Sequence, residues 1–403
     1  MFRLALRNLL RQKMRTFITL ASIVFGVAAL ILAGGFVEDI FVQLREATIH
    51  SRTGYIQLYR TGYYEFGRRD PYQYLIEDPA AMIKRLRRIP EVTDILQRLN
   101  FTGLVNNGKT DRSIIGEGVE PGKEAELGTF LKIIEGRMLQ ADDGYTLMIG
   151  EGVAQSLDLK PSDLVTVIAT TEDGAMNSLE FQVVGVFRSF SQEFDARAIR
   201  MPLTAAQELL YTDKIHSIVF SLTSSEVVEP VANLLRRSFA ADRYETKTWE
   251  ELDDFYRKTV NLYKRQFGVL QLIILGIVLL SVANSVSMTA NERVGEFGTL
   301  RAVGHSSNYV YRLLILENSV LGAVGAMIGV LVGVGLAYII SKFGIPMPPP
   351  PNANGGYTAL IRIIPQNCVI AFLIGVFATI MSALLACRGP TRVHIADALR
   401  QNI

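Results

Sequence analysis

The sequence predicts an integral membrane α-helical protein with four transmembrane helices and a large α+β extracytoplasmic domain. A helix needs about 20 mostly apolar residues to cross a bilayer, because no water there can satisfy an open backbone. Four such stretches occur, at 17–37, 267–290, 318–341 and 367–387, and more than half of the chain lies between the first two. Charged residues make up 20% of the sequence and hydrophobic residues 49%. This charge content is too high for a protein wholly within lipid, so the long interval is predicted to be a folded domain outside the membrane.

Basic residues in the short segments beside these stretches predict the orientation. They are Arg3, Arg7, Arg11, Lys13 and Arg15 before the first stretch, Arg293, Arg301 and Arg312 between the second and third, and Arg388, Arg392 and Arg400 after the fourth. Short basic flanks stay in the cytoplasm, whereas long loops are translocated largely regardless of charge. Both termini are therefore predicted to be cytoplasmic. A cleaved signal peptide is the alternative for the first stretch, but its apolar run exceeds the usual core of about 7–15 residues.

The apolar stretches and the basic flanks together predict the order of segments along the chain. The predicted segments are a cytoplasmic amphipathic helix 1–16, transmembrane helix 1 at 17–37, the extracytoplasmic domain 38–266, transmembrane helix 2 at 267–290, a cytoplasmic loop 291–312, transmembrane helix 3 at 313–341, a Pro-rich external loop 342–362, transmembrane helix 4 at 363–387 and a cytoplasmic tail 388–403.

The extracytoplasmic interval alternates between strand-like and short helical patterns. Its first part reads as strand 55–60, helix 79–88 and strand 91–99, and its last part repeats the order with strand 216–222, helix 226–240 and strand 244–249. Two βαβ-like units at the ends of one interval predict a single split α+β domain. Residues 145–190 between them indicate a small β-rich insertion. Segments 38–49 and 251–263 are predicted to be helical and to extend the first two membrane helices as a stalk.

One segment matches the phosphate-binding pattern G-x-x-x-x-G-K-[ST], from Gly103 to Thr110. Such a loop works when backbone amides and the N-terminus of a following helix surround the phosphates. Here the residues after Thr110 are strand-like, and Asn107-Gly108 lies between two extended runs, which is the signal of a β-hairpin. The sequence therefore predicts a hairpin and not a nucleotide site.

Other site chemistry finds no support in the sequence. The four histidines have no close second His or Cys at ligand spacing, so no metal site is predicted. A net charge of +2 gives no reason to expect nucleic acid as a partner. No catalytic residue is assigned, and an intramembrane enzyme ranks last among the function classes because neither a nucleophile–base pair nor a metal cluster is recognisable.

The third apolar stretch carries a packing signal. Gly325, Gly329 and Gly333 recur every fourth residue and form a flat face, on which another helix can approach closely in lipid. Packing within one chain is the plainer interpretation, and a dimer contact or a moving interface is the alternative. Glu317, near the start of this stretch, is costly in lipid and is expected to pair with Arg312.

Polar groups in the second stretch are predicted to bind a neighbouring helix or to line a path. These groups are Ser281, Asn284, Ser285 and Ser287. Helix–helix contact is the preferred interpretation, because such groups seek partners in lipid whatever the function.

The cytoplasmic loop contains a short amphipathic helix within 291–304. Val294, Phe297, Leu300 and Val303 are expected to share its apolar side. Such a segment either lies on the membrane surface or fills a groove on a cytoplasmic partner.

The loop sequence ERVGEFGTLRAVG, followed by LLILENSVLGAVGAMIGVLVG, resembles the membrane core of MacB-like and lipoprotein-releasing ABC transporter permeases. LALRNLLRQKMRTFITLASIVFGVAALI is similar to the family's amphipathic helix and first span. FLKIIEGRML and TLMIGEGVAQSLDLKPSDLVTV resemble its external domain, and PTRVHIADALR resembles its C-terminal tail. The resemblance covers nearly the whole chain, and the combined order is specific although each motif alone is loose.

The resemblance implies a subunit of the bacterial inner (plasma) membrane that pairs with a second permease, as a homodimer or heterodimer, and with cytoplasmic ABC ATPases. ATP and Mg would be used by the partner ATPase, and no cofactor would bind this chain directly. The loop after the second span is the family's coupling helix. By that resemblance the ATPase contact falls to Glu292, Arg293, Glu296, Leu300 and Arg301.

The leading hypothesis is a permease that couples a partner's ATP hydrolysis to movement of the external domain and extracts a lipoprotein or another amphiphile from the membrane. A MacB-like subunit working with a periplasmic adaptor is the nearest alternative. A signalling permease that activates a wall hydrolase, as in the cell-division relatives, comes from a different class. Aromatic rings favour the membrane interface. Tyr63, Tyr64 and Phe66 are therefore candidates for contact with lipid or cargo, although ordinary core packing or interfacial anchoring is the plainer interpretation.

Overall fold

The computed structural model describes residues 13–67, 71–239, 243–348 and 356–387. The predicted tail 388–403 and all but the last residues of the predicted helix 1–16 lie outside the described residues. The described part of the chain divides into two compact units. The helical unit comprises the described residues of Met1–Val42, Val260–Met347 and Thr358–Ile403. The sheet unit comprises those of Gln43–Thr259 and Pro348–Tyr357.

The described helices and strands alternate through the sheet unit and are long in the helical unit. The α-helices are α1 (Lys13–Thr48), α2 (Tyr63–Phe66), α3 (Pro79–Leu86), α4 (Pro121–Leu127), α5 (Glu151–Leu157), α6 (Gln192–Asp195), α7 (Leu203–Leu210), α8 (Val228–Phe239), α9 (Trp249–Leu252), α10 (Asp254–Glu292), α11 (Val294–Ala302), α12 (Ser307–Phe343) and α13 (Pro365–Ala386). The strands are β1 (Ile56–Arg60), β2 (Val92–Asn106), β3 (Asp111–Val119), β4 (Lys132–Gly136), β5 (Thr146–Gly150), β6 (Leu164–Thr170), β7 (Met176–Arg188), β8 (Ala198–Pro202), β9 (Ser217–Leu222), β10 (Tyr244–Thr248), β11 (Ile345–Met347) and β12 (Tyr357–Ala359).

Helices α1, α10, α12 and α13 each contain an apolar segment long enough to cross a membrane, which confirms the four predicted membrane helices. Two of them extend beyond their apolar stretches. Helix α1 runs to Thr48 and continues into a π-helical turn, Ile49–Thr53. Helix α10 begins at Asp254, after the short helix α9 and a break at Asp253. The segments expected to be helical beside the first two spans are therefore largely so, with these two irregular junctions.

Hydroxyl groups join α1 to α10 inside the helical unit. The Ser281 hydroxyl donates to Ser22 Oγ at 3.0 Å, and Ser285 forms a hydrogen bond with Thr19. The Ser382 hydroxyl on α13 donates to the Leu279 carbonyl at 2.9 Å. Two members of the predicted polar patch thus bind a neighbouring helix, as expected for hydroxyls that find no water in lipid.

The large sheet follows the order β10-β1-β9-β2-β3-β8-β5-β7-β4, and β6 pairs with β2 and β7. The units β1-α3-β2 and β9-α8-β10 interleave, because β9 lies between β1 and β2, and β1 lies between β9 and β10. All three pairings among these four strands are antiparallel. This is a split βαβ arrangement, and it confirms the predicted α+β domain.

Strand β2 is longer than the sequence indicated. The strand expected at 91–99 and the extended run before Asn107-Gly108 form one strand, Val92–Asn106, which pairs with β9 in its first half and with β3 and β6 in its second. A Cβ on Gly103 would lie 2.3 Å from the Ile168 carbonyl oxygen. A glycine is needed there because β6 crosses so closely, which explains the first glycine of the phosphate-loop pattern without a ligand.

The predicted hairpin at Asn107-Gly108 is confirmed, with a different turn. Strands β2 and β3 pair antiparallel up to Asn106 and Asp111, which leaves a loop of four residues and not the two-residue Asn-Gly turn. The Asn107 side-chain oxygen accepts from the amides of Lys109 at 3.0 Å and Thr110 at 2.9 Å. Gly108 alone in the loop has a positive φ, 84°. A strand, not a helix, follows Thr110, so no helix N-terminus is available to hold a phosphate.

His216 is a fully buried histidine of the sheet unit, next to β9. Its Nδ1 accepts from the Asn100 amide at 3.1 Å, and its Nε2 donates to the Pro71 carbonyl at 3.2 Å. The rings of Tyr63 and Tyr72 lie beside it, with centroids 5.2 and 6.2 Å away. Burial lowers the pKa of His216 to about 4, so the folded chain holds it neutral.

This histidine makes the stability of the sheet unit depend on pH. In the unfolded chain this histidine has its ordinary pKa near 6.5. Between about pH 6.5 and 4 the unfolded chain therefore binds a proton at His216 that the folded chain does not bind, and the folded state loses stability as the pH falls. We expect a loss of about 1 kcal/mol between pH 7.5 and 5.5, measured by hydrogen exchange of the β9 amides in the full chain. His216→Gln should be less stable at pH 7.5 but should lose this part of the pH dependence. If the stability of the His216→Gln variant fell with pH as steeply as that of the unmodified chain, the pH dependence would belong to other groups.

Candidate coupling site

Arg293 occupies the single non-helical position between α10 and α11 and lies at the centre of a charged cluster in the helical unit. Its Nη1 is 2.7 Å from Glu317 Oε2 on α12, and its Nε is 2.9 Å from Glu296 Oε2 on α11. The Arg293 side chain is 10% exposed and that of Glu317 is 6% exposed. A guanidinium presents several donors in one rigid plane, so one side chain can bind carboxylates on two helices at once. Arg293 therefore fixes α11 onto α12.

The expected pairing of Glu317 with Arg312 is wrong. The two residues are five positions apart on the same helix, which places them about 140° apart around its axis. Arg312 is exposed, whereas Glu317 faces the buried guanidinium of Arg293. A charge partner from another segment therefore satisfies this carboxylate.

The charged state of Arg293 is maintained despite its burial. Burial disfavours the cation, but hydrogen bonds and Coulomb attraction from Glu317 and Glu296 outweigh it and raise the pKa of Arg293 above its ordinary value. The guanidinium also lies 5.5 Å from the centre of the Phe297 ring. A buried cation with these partners is costly to leave unpaired.

The apolar side of α11 packs into the core of the helical unit. Val294 and Phe297 are buried, and Leu300 is half-buried against the same core cluster. Val303 is 78% exposed, so its predicted place on the apolar side is wrong. Nine positions at about 100° per residue turn Val303 to the face opposite Val294. Residues 302–306 form an exposed run at the end of α11.

The candidate ATPase-contact residues fall into two groups by exposure. Arg293 is buried, and Leu300 packs against the core. Glu292 is exposed, and Glu296 and Arg301 are half-buried. Arg293 thus has a structural role within the chain, and contact with an ATPase stays a prediction for the set.

The three glycines of α12 lie against α1. A Cβ on Gly329 would be 2.8 Å from Val27 Cβ and 3.1 Å from the Val24 carbonyl oxygen. Gly325 and Gly333 make similar approaches, to Ile23 and to Ala28 with Ile31. Backbone packing of this closeness gives two membrane helices extensive dispersion contact. The stripe therefore serves contact within one chain, and a dimer contact on it stays a prediction.

A second ion pair, between buried Asp39 and the exposed Arg362 side chain, lies at the other end of α1 within the helical unit, and the sequence reasoning missed it. Asp39 is fully buried; its Oδ1 accepts from Arg362 Nε at 2.9 Å and its Oδ2 from the Leu360 amide at 2.8 Å. The Arg362 amide donates to the Gly35 carbonyl at 3.2 Å. The segment before α13, predicted only as a Pro-rich loop, is thus bound to α1. An acidic residue two positions after an apolar stretch was the available signal.

The aromatic candidates of α2 are mostly engaged inside the sheet unit. The Tyr63 ring stacks on Tyr59 with centroids 4.9 Å apart and also contacts His216. The Tyr64 hydroxyl donates to the Glu251 carbonyl at 3.2 Å, and Lys247 Nζ lies 4.9 Å from its ring centre. Phe66 is 49% exposed. Of the three, Phe66 has the ring most available to lipid or cargo, and such contact stays a prediction. Among the described residues no cluster of His, Cys, Asp or Glu is placed to hold a metal ion.

Two known protein-family domains match most of the chain. Residues 16–238 match the MacB-like periplasmic core domain, and residues 268–394 match the FtsX-like permease C-terminal domain. The chain is 23% identical over 272 residues to the lipoprotein-releasing system transmembrane protein LolE of Haemophilus influenzae, and this alignment covers 64% of each chain, less than two thirds of LolE. It is 23% identical to LolC of Neisseria meningitidis serogroup B, covering 81% of this chain and 78% of LolC.

A fused relative and a solved structure are also similar. The chain is 24% identical to the macrolide export ATP-binding/permease protein MacB of Rhodopseudomonas palustris, covering 83% of this chain and 52% of that protein. The crystal structure of the periplasmic region of MacB from Actinobacillus actinomycetemcomitans matches with a TM-score of 0.38 and 15% identity, over 53% of this chain and 94% of that one. The match to the MacB-like core domain alone spans more than half of the 403 residues. The chain therefore belongs to the family of ABC transporter permeases that includes MacB, LolC and LolE.

Proposed function

We propose that this chain is a non-catalytic permease subunit that couples ATP hydrolysis on a separate cytoplasmic ATPase to movement of its extracytoplasmic sheet unit. The observation that carries the proposal is the Arg293 cluster, in which one buried guanidinium holds Glu296 of α11 and Glu317 of α12. A short helix fixed in this way would pass a push at α11 directly to α12. If α11 were not fixed to α12, it would shift on the membrane surface and the push would not reach α12.

The proposed arrangement places both termini and the 291–312 loop in the cytoplasm and the sheet unit outside a bacterial inner membrane. It also includes a second permease copy or homologue and an ATPase that binds ATP and Mg. The basic flanks support the orientation. The fused ATP-binding/permease architecture in the name of the MacB relative supports the need for such an ATPase.

The proposed cargo is a lipoprotein or another amphiphile extracted from the outer leaflet. Similarity to LolE and LolC supports it, and similarity to MacB supports the alternative of a mechanotransmission subunit working with a periplasmic adaptor. Depletion of the chain should leave acylated cargo in the inner membrane if the first proposal holds. Copurification of an adaptor with normal cargo sorting would favour the second, and activation of a wall hydrolase without transport would favour a signalling permease.

Exposed Val303 gives the coupling proposal a direct test. An apolar side chain that is 78% exposed beside the fixed helix suits a pocket on the ATPase. Val303→Asp should weaken ATPase binding by at least about tenfold, or 1.4 kcal/mol, because a charge would enter an apolar contact. The measurement is the affinity of the purified permease for its ATPase in detergent.

Met176→Asp is the matched control, since Met176 is 75% exposed but lies on β7 of the sheet unit. It should leave ATPase affinity unchanged. Equal affinities for Val303→Asp and the unmodified chain would show that the ATPase contact lies elsewhere.

A further inference from the structure

A network of four buried charged side chains lies inside the sheet unit, away from the Arg293 cluster. Arg98 on β2 and Arg200 on β8 are each 3% exposed. Arg98 Nη2 is 2.6 Å from Glu124 Oε1 on α4, and Arg200 Nε is 2.9 Å from Glu117 Oε2 on β3. Arg200 Nη1 also lies 3.4 Å from Glu124 Oε1, which joins the two pairs. Because β2, β3 and β8 are adjacent strands, the network belongs to the centre of the sheet.

Both guanidiniums also hold the backbone that leaves α1. Arg98 Nη1 donates to the Arg52 carbonyl, and Arg200 Nη2 donates to the Ser51 carbonyl at 3.2 Å. These carbonyls belong to the π-helical turn Ile49–Thr53, which continues α1. The last carbonyls of a helix lack intrahelical partners and carry partial negative charge, so cations bind them well. The turn is thus bound by the same groups that cross-link the strands.

The charges suit a role in orientation more than in stability. Apolar side chains of similar volume commonly stabilise a protein as well as a buried ion pair does. The planar guanidinium, by contrast, holds several acceptors in a defined geometry. Burial disfavours the charged form of Glu117, but Arg200 and Arg98 outweigh it and hold its pKa below the ordinary value. Glu117 therefore keeps the charge on which its contacts with the two arginines depend.

Helix α10 meets the sheet unit at a one-residue break in the helix. Asp253, with φ −112° and ψ 86°, interrupts the helix between α9 and α10. Its carboxylate accepts from the Tyr256 amide at 3.1 Å and from the Thr48 hydroxyl at 3.2 Å. Trp249 meets Tyr256 edge-to-face with centroids 4.6 Å apart. A one-residue break with these contacts can change direction by rotation about two backbone bonds.

We propose that α1 is rigidly joined to the sheet, with Arg98 and Arg200 as positioning residues, and that the junction at Asp253 is the compliant one. In the proposed function, which this inference deepens, α1 then drives the sheet unit and α10 follows. Each arginine binds a backbone carbonyl and a carboxylate at the same time through one rigid, planar guanidinium. A lysine has a single ammonium on a flexible stem and cannot hold the two acceptors in a fixed plane.

Spin-label distances in the full chain test the two junctions without any ATPase. In a background with Cys368 and Cys387 replaced by alanine, one label at Thr102 on β2 is combined with a second at Gln43 on α1 or at Lys258 on α10. The Gln43–Thr102 distribution should be narrow and the Lys258–Thr102 distribution broader. Arg98→Lys/Arg200→Lys keeps the charges and should roughly double the width of the first distribution only. Arg60→Lys, which alters a more exposed ion pair with Glu77, is the matched control.

Equal widths for the two unmodified label pairs would overturn the proposal, even if the lysine variant failed to fold. An unchanged Gln43–Thr102 width in a folded lysine variant would equally overturn the assignment of the arginines. With the native ATPase present, the lysine variant should hydrolyse ATP normally and move less cargo per ATP. If the unmodified chain neither binds nor responds to an ATPase, the proposed function fails while the junction result still stands.

Discussion

Under the proposed coupling function, replacing Glu317 by glutamine is expected to abolish most cargo-stimulated ATP hydrolysis. The change leaves the buried Arg293 guanidinium without its closest anion, since their side-chain atoms lie 2.7 Å apart. Breaking a buried ion pair by removing one partner costs about 3–5 kcal/mol. We expect α11 to loosen from α12, thermal stability of the helical unit to fall, and stimulation by cargo to drop at least about tenfold in proteoliposomes.

A double variant separates stability from positioning in this cluster. Arg293→Met/Glu317→Met removes both buried charges and should regain much of the lost stability, because apolar pairs replace buried ion pairs well. It should not regain coupling, because methionine cannot also hold the Glu296 carboxylate, which accepts from Arg293 Nε at 2.9 Å. Full recovery of cargo-stimulated ATP hydrolysis in the double variant would show that Arg293 does not take part in coupling. Normal cargo-stimulated hydrolysis in Glu317→Gln would show the same.

The parts of the fold that follow from local pattern were predictable. Four apolar stretches of sufficient length identify the membrane helices, because the backbone has few ways to be satisfied in lipid. The repeated strand–helix–strand order at the two ends of the long interval likewise predicted the split sheet. Asn107-Gly108 identified a hairpin, although the Asn107 carboxamide stabilises a longer turn than the pattern implies.

The charged contacts were not predictable, because they join residues far apart in sequence. Arg293 and Glu317 are 24 positions apart, Asp39 and Arg362 are 323 apart, and Arg200 and Glu117 are 83 apart. Sequence periodicity describes one helix or strand at a time and does not specify which faces meet. Val303 is a different case, since helical phase alone places it opposite Val294. That error came from extending the apolar side one turn too far.

Within the helical unit the buried contacts fix α1 and α12 in different ways. The Asp39 carboxylate holds α1 to the segment before α13, and Arg293 holds α11 to α12. Between these two charged sites, the glycines of α12 let α1 approach closely. The glycine contact is therefore a part of this unit where added volume should be harmful.

Gly329→Leu is expected to separate α1 from α12. A Cβ there would already lie 2.8 Å from Val27 Cβ and 3.1 Å from a backbone oxygen of Val24, and backbone cannot move aside as a flexible side chain can. Overpacking typically costs about 1–3 kcal/mol and more where relief is blocked, so we expect a loss above about 3 kcal/mol. Thermal unfolding of the full chain in detergent measures it.

Gly335→Leu provides the matched control on the same helix, because nothing lies within 4 Å of a Cβ at Gly335. Both substitutions raise helix propensity and apolarity equally, so the difference between them reports packing alone. The Gly335 variant should unfold at or above the temperature of the unmodified chain. If both variants were equally stable, α1 would not rest on the glycine face. If Gly335→Leu left the single chain stable but prevented its assembly into the native complex, the surface around Gly335, and not the glycine stripe, would be the contact with the second permease.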